Sequence, residues 1–408
     1  MLEASCVCKH WHRLASHSGV WRAMFYTQPG WELRTELLAP ASTDAPIFTR
    51  HLPTYPLQNT HWKSFYMARW ELERRWYSTR SRPVGLDGQT PFRPRISRFR
   101  GHRDSVYCCC IDRELHLGQA SYLITGSRDN TIKVWNSGTG ACMSTMEGHS
   151  GSVLCLKHEP GFLVSGSSDT TARIWYPSRR GSGSLYEPGP VLRGHKAGVL
   201  SVAFDDKYIV TASRDTTLRV WVRATGELLH VYDAHAASVN ACSLQNGIVA
   251  SGAGDGSLRL WSAATGQTCQ TISGPRCGIA SLVLTPQWLL TGSSDSAIRF
   301  WDTKTGACLA TFRAHEKLVR TIAYEATRKL LVSGGWDRKT RLWDVEPLLN
   351  SLEEETPANP RMTLELGVQQ ARVFDVCLDT TRVISACEDN TLWITDYGGQ
   401  GLATHIFA

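Results

Sequence analysis

Six segments of this chain repeat one ten-residue pattern: GSRDNTIKVW (126–135), GSSDTTARIW (166–175), ASRDTTLRVW (212–221), GAGDGSLRLW (252–261), GSSDSAIRFW (292–301) and GGWDRKTRLW (334–343). A degenerate seventh, ACEDNTLWIT, occupies 386–395. The aspartates of the pattern, Asp129, Asp169, Asp215, Asp255, Asp295, Asp337 and Asp389, are spaced by 40, 46, 40, 40, 42 and 52 residues. That period belongs to propeller blades, units that bury their apolar faces only by packing against one another. Within each unit, short β-branched runs such as SVLCLKH, FLVSGSSD and TARIW alternate apolar with polar residues between Gly, Ser, Asp and Asn. They predict half-buried strands joined by tight turns.

Composition narrows the function classes. A 408-residue chain that is 42% hydrophobic can fill a large core. It has neither a long uncharged apolar run nor a signal-like start, so a place in the cytoplasm or nucleus is expected, with no membrane partner. The 13 cysteines are scattered rather than set out as a disulfide framework, and read as reduced thiols. The formal charge of +7 does not point to nucleic acid. Six of the positive charges (Lys133, Arg173, Arg219, Arg259, Arg299 and Arg341) stand two residues before the repeat aromatic and are spread around the fold.

The unit resembles the WD repeat over residues 94–408, and the WD dipeptide itself stands at Trp301-Asp302 and Trp343-Asp344. The resemblance implies a seven-bladed propeller with a hydrogen-bond relay inside each blade. By spacing, its members are His102, Thr125, Asp129 and Trp135 in blade one, and His149, Ser165, Asp169 and Trp175 in blade two. They are His195, Thr211, Asp215 and Trp221 in blade three, His235, Ser251, Asp255 and Trp261 in blade four, and His315, Ser333, Asp337 and Trp343 in blade six. An imidazole and a carboxylate inside a blade are costly unless all their donors and acceptors are paired. Five copies of a His/Ser/Asp set around a ring read as structure, not as a hydrolase triad. Pro275 in blade five, and Gln369 and Thr395 in blade seven, depart from the pattern. Those two blades are expected to be locally weakest. The inserted stretches 176–190 and 346–360 read as exposed loops.

Residues 1–93 lack the blade signature. HWKSFYMARWELERRWYS (61–78) sets Trp62, Phe65, Tyr66, Arg69, Trp70, Leu72 and Trp76 at helical spacing, predicting an amphipathic helix near 58–77 within a proline-bounded linker, 32–93. CVCKHWHRL (6–14) could pass for a metal knuckle, but on a helix Cys6 and Cys8 lie about 200° apart and cannot face one ion. No metal or cofactor is expected. Instead Val7, Trp11 and Leu14, followed by Trp21, form an apolar set.

The stretch LEASCVCKHWHRLASHSGVWRAMF resembles the second half of an F-box (1–31), and WKSFYMARWELERRW resembles the helical linker that follows it in F-box/WD-repeat proteins. That family implies a non-catalytic substrate receptor of a Skp–cullin–F-box ubiquitin ligase. Val7, Trp11, Leu14 and Trp21 would meet the Skp-type adaptor, the cullin would be bound indirectly, and the propeller would hold a protein substrate. The opening F-box helix has no counterpart here, so the alternative is a scaffold that does not bind the adaptor. The substrate-reading rim, by the same resemblance, comprises the residue before each blade aspartate and the residue five past each histidine. Arg128, Arg214 and Trp336 stand out in the first series, and Tyr107, Arg320 and Phe374 in the second. This set predicts a ligand with an apolar anchor and acidic flanks rather than one that depends on two phosphates. Both RPRISRFRG (93–101) and GGQGLATHIFA (398–408) resemble a blade's outer strand. We expect 95–100 to complete blade seven, because zipping the two ends of the chain into one sheet removes an exposed edge.

Overall fold

The computed structural model describes residues 24, 62–77, 94–112, 122–178, 185–233, 235–272, 277–354, 360–368 and 371–398. Its strands form seven four-stranded antiparallel sheets. Blade one runs outward from Val106–Asp112 through Tyr122–Ser127 and Ile132–Asn136 to Cys142–Met146. The next five blades repeat this order, and the seven innermost strands pack side by side around a central channel. In blade seven the outer strand is Arg95–Arg100, paired antiparallel with Thr391–Asp396 from Arg95↔Asp396 to Arg100↔Thr391. Residues 402–408, the other candidate for that place, lie outside the described residues.

The second strand of each blade departs from the expected alternation. Phe162–Ser167, read as half-buried, is buried at all six positions, as are Tyr122–Ser127 and Leu330–Gly335. Neighbouring blades cover both of its faces, so no residue needs to point to water. The apolar clusters accordingly cross blade boundaries: Phe162, Val164 and Ile174 of blade two pack with Val199, Phe204 and Trp221 of blade three. In the same way, Trp135 and Leu123 of blade one meet Ile384, Leu392 and Ile394 of blade seven.

The residue after each blade aspartate has a left-handed backbone (Asn130, Thr170, Thr216, Gly256, Ser296, Arg338 and Asn390, φ between 62° and 83°). Small or polar residues tolerate that conformation best. Gly194 is needed for its backbone, since its φ is +144°.

Helix α1 (Trp62–Tyr77) lies within the span expected near 58–77, of which 58–61 fall outside the described residues. Its buried side is Arg69, Leu72 and Trp76, whereas Trp70, expected on the same face, is 44% exposed. One step of 100° per residue separates Trp70 from that stripe. Trp76 stacks on Tyr397 at 3.9 Å and 16°, donates its indole N–H to the Thr380 carbonyl (2.9 Å) and lies under the Arg328 guanidinium at 4.9 Å. Leu72, Trp76 and Met24 join a cluster with Leu330, Val332, Val376 and Val383 of blades six and seven.

Both expected loops contain regular structure. In 176–190, Tyr176 pairs with Glu187 and Pro177 with Tyr186, extending two strands into the insertion. Tyr186 is anchored because it is 2% exposed and its hydroxyl donates to Asp112 Oδ2 at 2.6 Å. In 346–360, helix α2 (Glu346–Glu354) forms because Asp344 accepts the Glu346 N–H (3.1 Å), Pro347 suits a first turn, and Leu348 and Leu349 bury against blade six.

Phe99, 9% exposed, is the closing strand's contribution to the cluster between blades one and seven. Phe99→Ala is expected to cost about 3 kcal/mol in urea unfolding, while Ile96→Ala on the exposed face costs under about 0.5 kcal/mol. Equal effects of the two would contradict closure by this strand.

Candidate functional site

The relay residues meet inside the blades. In blade one the Trp135 indole donates to Thr125 Oγ1 (2.8 Å), that hydroxyl lies 2.8 Å from His102 Nε2, and His102 Nδ1 lies 2.9 Å from Asp129 Oδ2. Blades two and three repeat the chain with His149–Asp169 at 2.8 Å and His195–Asp215 at 2.9 Å, and blade six with His315–Asp337 at 2.9 Å. With Nδ1–H donated to the carboxylate, Nε2 accepts the hydroxyl proton, so a neutral imidazole satisfies every partner. Blade four differs from the expected set. His235 Nδ1 meets Ser257 Oγ, which in turn donates to Asp255, so a second hydroxyl stands between imidazole and carboxylate. In blade five, where Pro275 lies outside the described residues, Arg299 donates to Ser293 (2.9 Å) and to both oxygens of Asp295 (3.2 and 2.5 Å). A guanidinium thus covers the carboxylate that imidazoles cover elsewhere. In blade seven Ser385 turns to Thr340 of blade six (3.0 Å), and Arg98 of the closing strand lies 3.7 Å over Trp393.

Catalysis by these sets is excluded by access, since Thr125, Ser165, Thr211, Ser251 and Ser333 are fully buried and already bonded. Burial lowers the affinity of His102, His149 and His195 for a proton, against the opposing pull of their aspartates, and lowers that of His235 to about 4. Burial works the other way on Asp129 and Asp169, but donated hydrogen bonds outweigh it and hold them at about 2. Both effects have the same sign. The unfolded chain takes up protons before the folded one, at histidines from about pH 6.5 downward and at aspartates below about pH 4. Stability is therefore complete above about pH 6.5 and declines with acid, and Tm is expected to fall from pH 7 to pH 4 in calorimetry. A flat profile would contradict the relay. Ser165→Ala, which strands the Trp175 indole and His149, is expected to cost about 2 kcal/mol by denaturant unfolding.

The residues five past the histidine position share one geometry. Tyr107, Leu154, Leu200, Asn240, Ala280, Arg320 and Phe374 each fall at the register shift where the inner strand meets its neighbour, a β-bulge in all seven blades. A bulge re-aims the local side chain, and these seven line the mouth of a channel cavity of about 160 Å³. Tyr107, Arg320 and Phe374 therefore sit in the channel mouth rather than out on the rim, with Tyr107 and Phe374 edge-on at 4.9 Å. Sequence spacing found these positions, but a one-residue slip of register was needed to say where they face.

Arg128, Arg214 and Trp336 lie at the turn tips of the same end, tied by the bonds Arg128 N–H to Ser105 O, Arg214 N–H to Gly198 O and Trp336 N–H to Leu318 O. Arg128 pairs with Asp104 at 3.7 Å, both well exposed. Trp336, 38% exposed, lies under Arg372 at 5.0 Å, and Arg372 pairs with Glu388 at 3.8 Å. Lys339 pairs with Glu316 at 3.2 Å. The acidic residues of this face are thus largely taken. Val7, Trp11, Leu14 and Trp21 fall outside the described residues.

The WD domain, G-beta repeat family matches residues 93–136, 140–176, 186–222, 226–262, 266–302 and 306–344, more than half of the chain. F-box/WD repeat-containing protein 7 of Drosophila melanogaster is 30% identical over 153 residues, 38% of this chain and 10% of that protein. The probable E3 ubiquitin ligase complex SCF subunit scon-2 of Neurospora crassa is 31% identical over 85 residues, 21% of this chain and 10% of that one. A Lissencephaly-1 homolog of Heterostelium pallidum is 54% identical over 43 residues, 10% of each chain. The chain spans about a tenth of the length of these relatives. The crystal structure of the computationally designed Ika8 protein superposes with a TM-score of 0.58 and 23% identity, covering 73% of this chain and 98% of that one, and shows the fold alone.

Proposed function

Because the chain belongs to the WD-repeat family, we propose that it works by binding proteins rather than by bond chemistry, as the substrate-recognition subunit of a Skp–cullin–F-box ubiquitin ligase. In this reading the propeller face around the channel mouth holds the protein to be modified. Residues 1–31 hold the Skp-type adaptor through Val7, Trp11, Leu14 and Trp21, and the cullin is reached through that adaptor. No cofactor is needed, and the site of action is the cytoplasm or nucleus. Partial similarity to F-box/WD repeat-containing protein 7 and to an SCF subunit supports the assignment.

The observation that carries it is the seating of the segment before the propeller. Helix α1 is fixed to blades six and seven by the Trp76–Tyr397 stack, and Met24 packs against the same cluster. A receptor of this kind accelerates transfer by holding a substrate lysine near a charged conjugating enzyme. That effect depends on a stiff connection between its two binding faces. A loosely tethered propeller would dilute it.

The test is capture of a purified Skp-type adaptor by the full chain. Binding is expected, and Trp11→Ala is expected to weaken it by more than about 1 kcal/mol, as interface anchors do. No capture by the unaltered chain would leave a non-catalytic scaffold in place of the ligase subunit. Full capture by Trp11→Ala would remove that residue's role.

A further inference from the structure

The channel mouth has more hydrogen-bond donors than it uses. Arg320 Nη1 donates to the Ala280 carbonyl at 3.3 Å, which occupies one of the guanidinium's five N–H groups. No carboxylate among the described residues lies within ion-pair distance of it, although the Asp375 charge acts on it from within the cavity. Asp375, the acidic residue of the same cavity, is already satisfied: Oδ2 accepts the Cys109 N–H at 2.9 Å, and Oδ1 accepts the Thr321 hydroxyl and the Val376 N–H, each at 2.9 Å. The capacity left open is a cationic fork that matches a carboxylate. Ala280, the smallest of the seven mouth residues, leaves space beside it.

The other side of the mouth is apolar. Phe374 and Tyr107, edge-on at 4.9 Å, continue into Leu154 and Leu200. At about 160 Å³ the cavity has room for a side chain and the end of a backbone between these two sides. An occupant that uses both sides brings an apolar group and a carboxylate close together. A glutamate or aspartate side chain brings only the carboxylate, whereas the last residue of a chain brings both on one Cα. We propose that the channel mouth binds the free C-terminus of a partner polypeptide, its terminal apolar side chain on Phe374, Tyr107, Leu154 and Leu200 and its α-carboxylate on Arg320. This rests on the reading of the propeller as the recognition face. Arg214 with Lys196 at blade three, and Arg103 at blade one, form no ion pair among the described residues, and draw an acidic tail toward the mouth.

The probe is three surface-bound libraries of random octapeptides ending in Leu or Phe: free carboxylate, C-terminal amide, and amide with an internal phosphoserine. Capture of the free-acid set is expected, with affinity reduced about tenfold or more by amidation and likewise by Arg320→Gln, the loss of one charge-assisted pair. Phe374→Ala is expected to weaken capture similarly while leaving adaptor binding unchanged, which separates failure here from failure of the ligase reading. The comparison of acid with amide uses the unaltered protein and does not depend on any variant folding. Equal capture of acid and amide, retention only of the phosphoserine set, or no capture of any set would overturn the proposal.

Discussion

Six residue pairs between Arg95–Arg100 and Thr391–Asp396 decide whether seven sheets become one body. Each blade is coherent within itself, but its apolar faces are covered only by its neighbours, and the last interface lies between the two ends of the repeat array. Placing a strand from before the first repeat on the outside of the last blade gives that interface a hydrogen-bonded clasp. Phe99 extends the clasp into the apolar cluster between blades one and seven, and Arg98 extends it over Trp393. The seven bulges can face one channel only because the ring is closed, so the mouth and its single open guanidinium are consequences of closure.

The interior polar chains show how a blade tolerates ionisable groups. Imidazole, hydroxyl and indole satisfy a carboxylate in sequence, and the solution survives substitution when every donor and acceptor stays paired. Blade five replaces imidazole with Arg299, and blade four inserts Ser257. The expectation that blade five is locally weak was read from the missing histidine alone. Arg299 occupies the position that is basic in six of the seven repeats, so the replacement was already in the sequence as a charge of unassigned role.

The repeat made the architecture legible, because its period, its alternation and its turn residues all follow from local rules. The closing strand was legible too, since RISRFR carries the outer-strand pattern outside the array it completes. What remained hidden depends on partners distant in sequence. Trp70 and Trp76 are equally plausible anchors on a helix, and only Tyr397, more than 300 residues away, selects Trp76. The insertion holding α2 reads as turn-forming, yet Leu348 and Leu349 find a cover on blade six. Tyr107, Arg320 and Phe374 were found by counting from the histidine, but their gathering around one cavity follows from bulges that spacing does not reveal. The four N-terminal candidates, Val7, Trp11, Leu14 and Trp21, rest on resemblance.

The closing strand and helix α1, each seated on blade seven, are held to the ring as one rigid unit. Amide hydrogen exchange tests this most directly. The expected result is that the alternate amides of 96–100 that bond to the neighbouring strand, and the amides of 391–396, exchange as slowly as those of the buried strand 162–167, with Leu72–Trp76 of α1 also protected. Rapid exchange at every amide of 96–100 and in α1, while 162–167 stays protected, would contradict the closure.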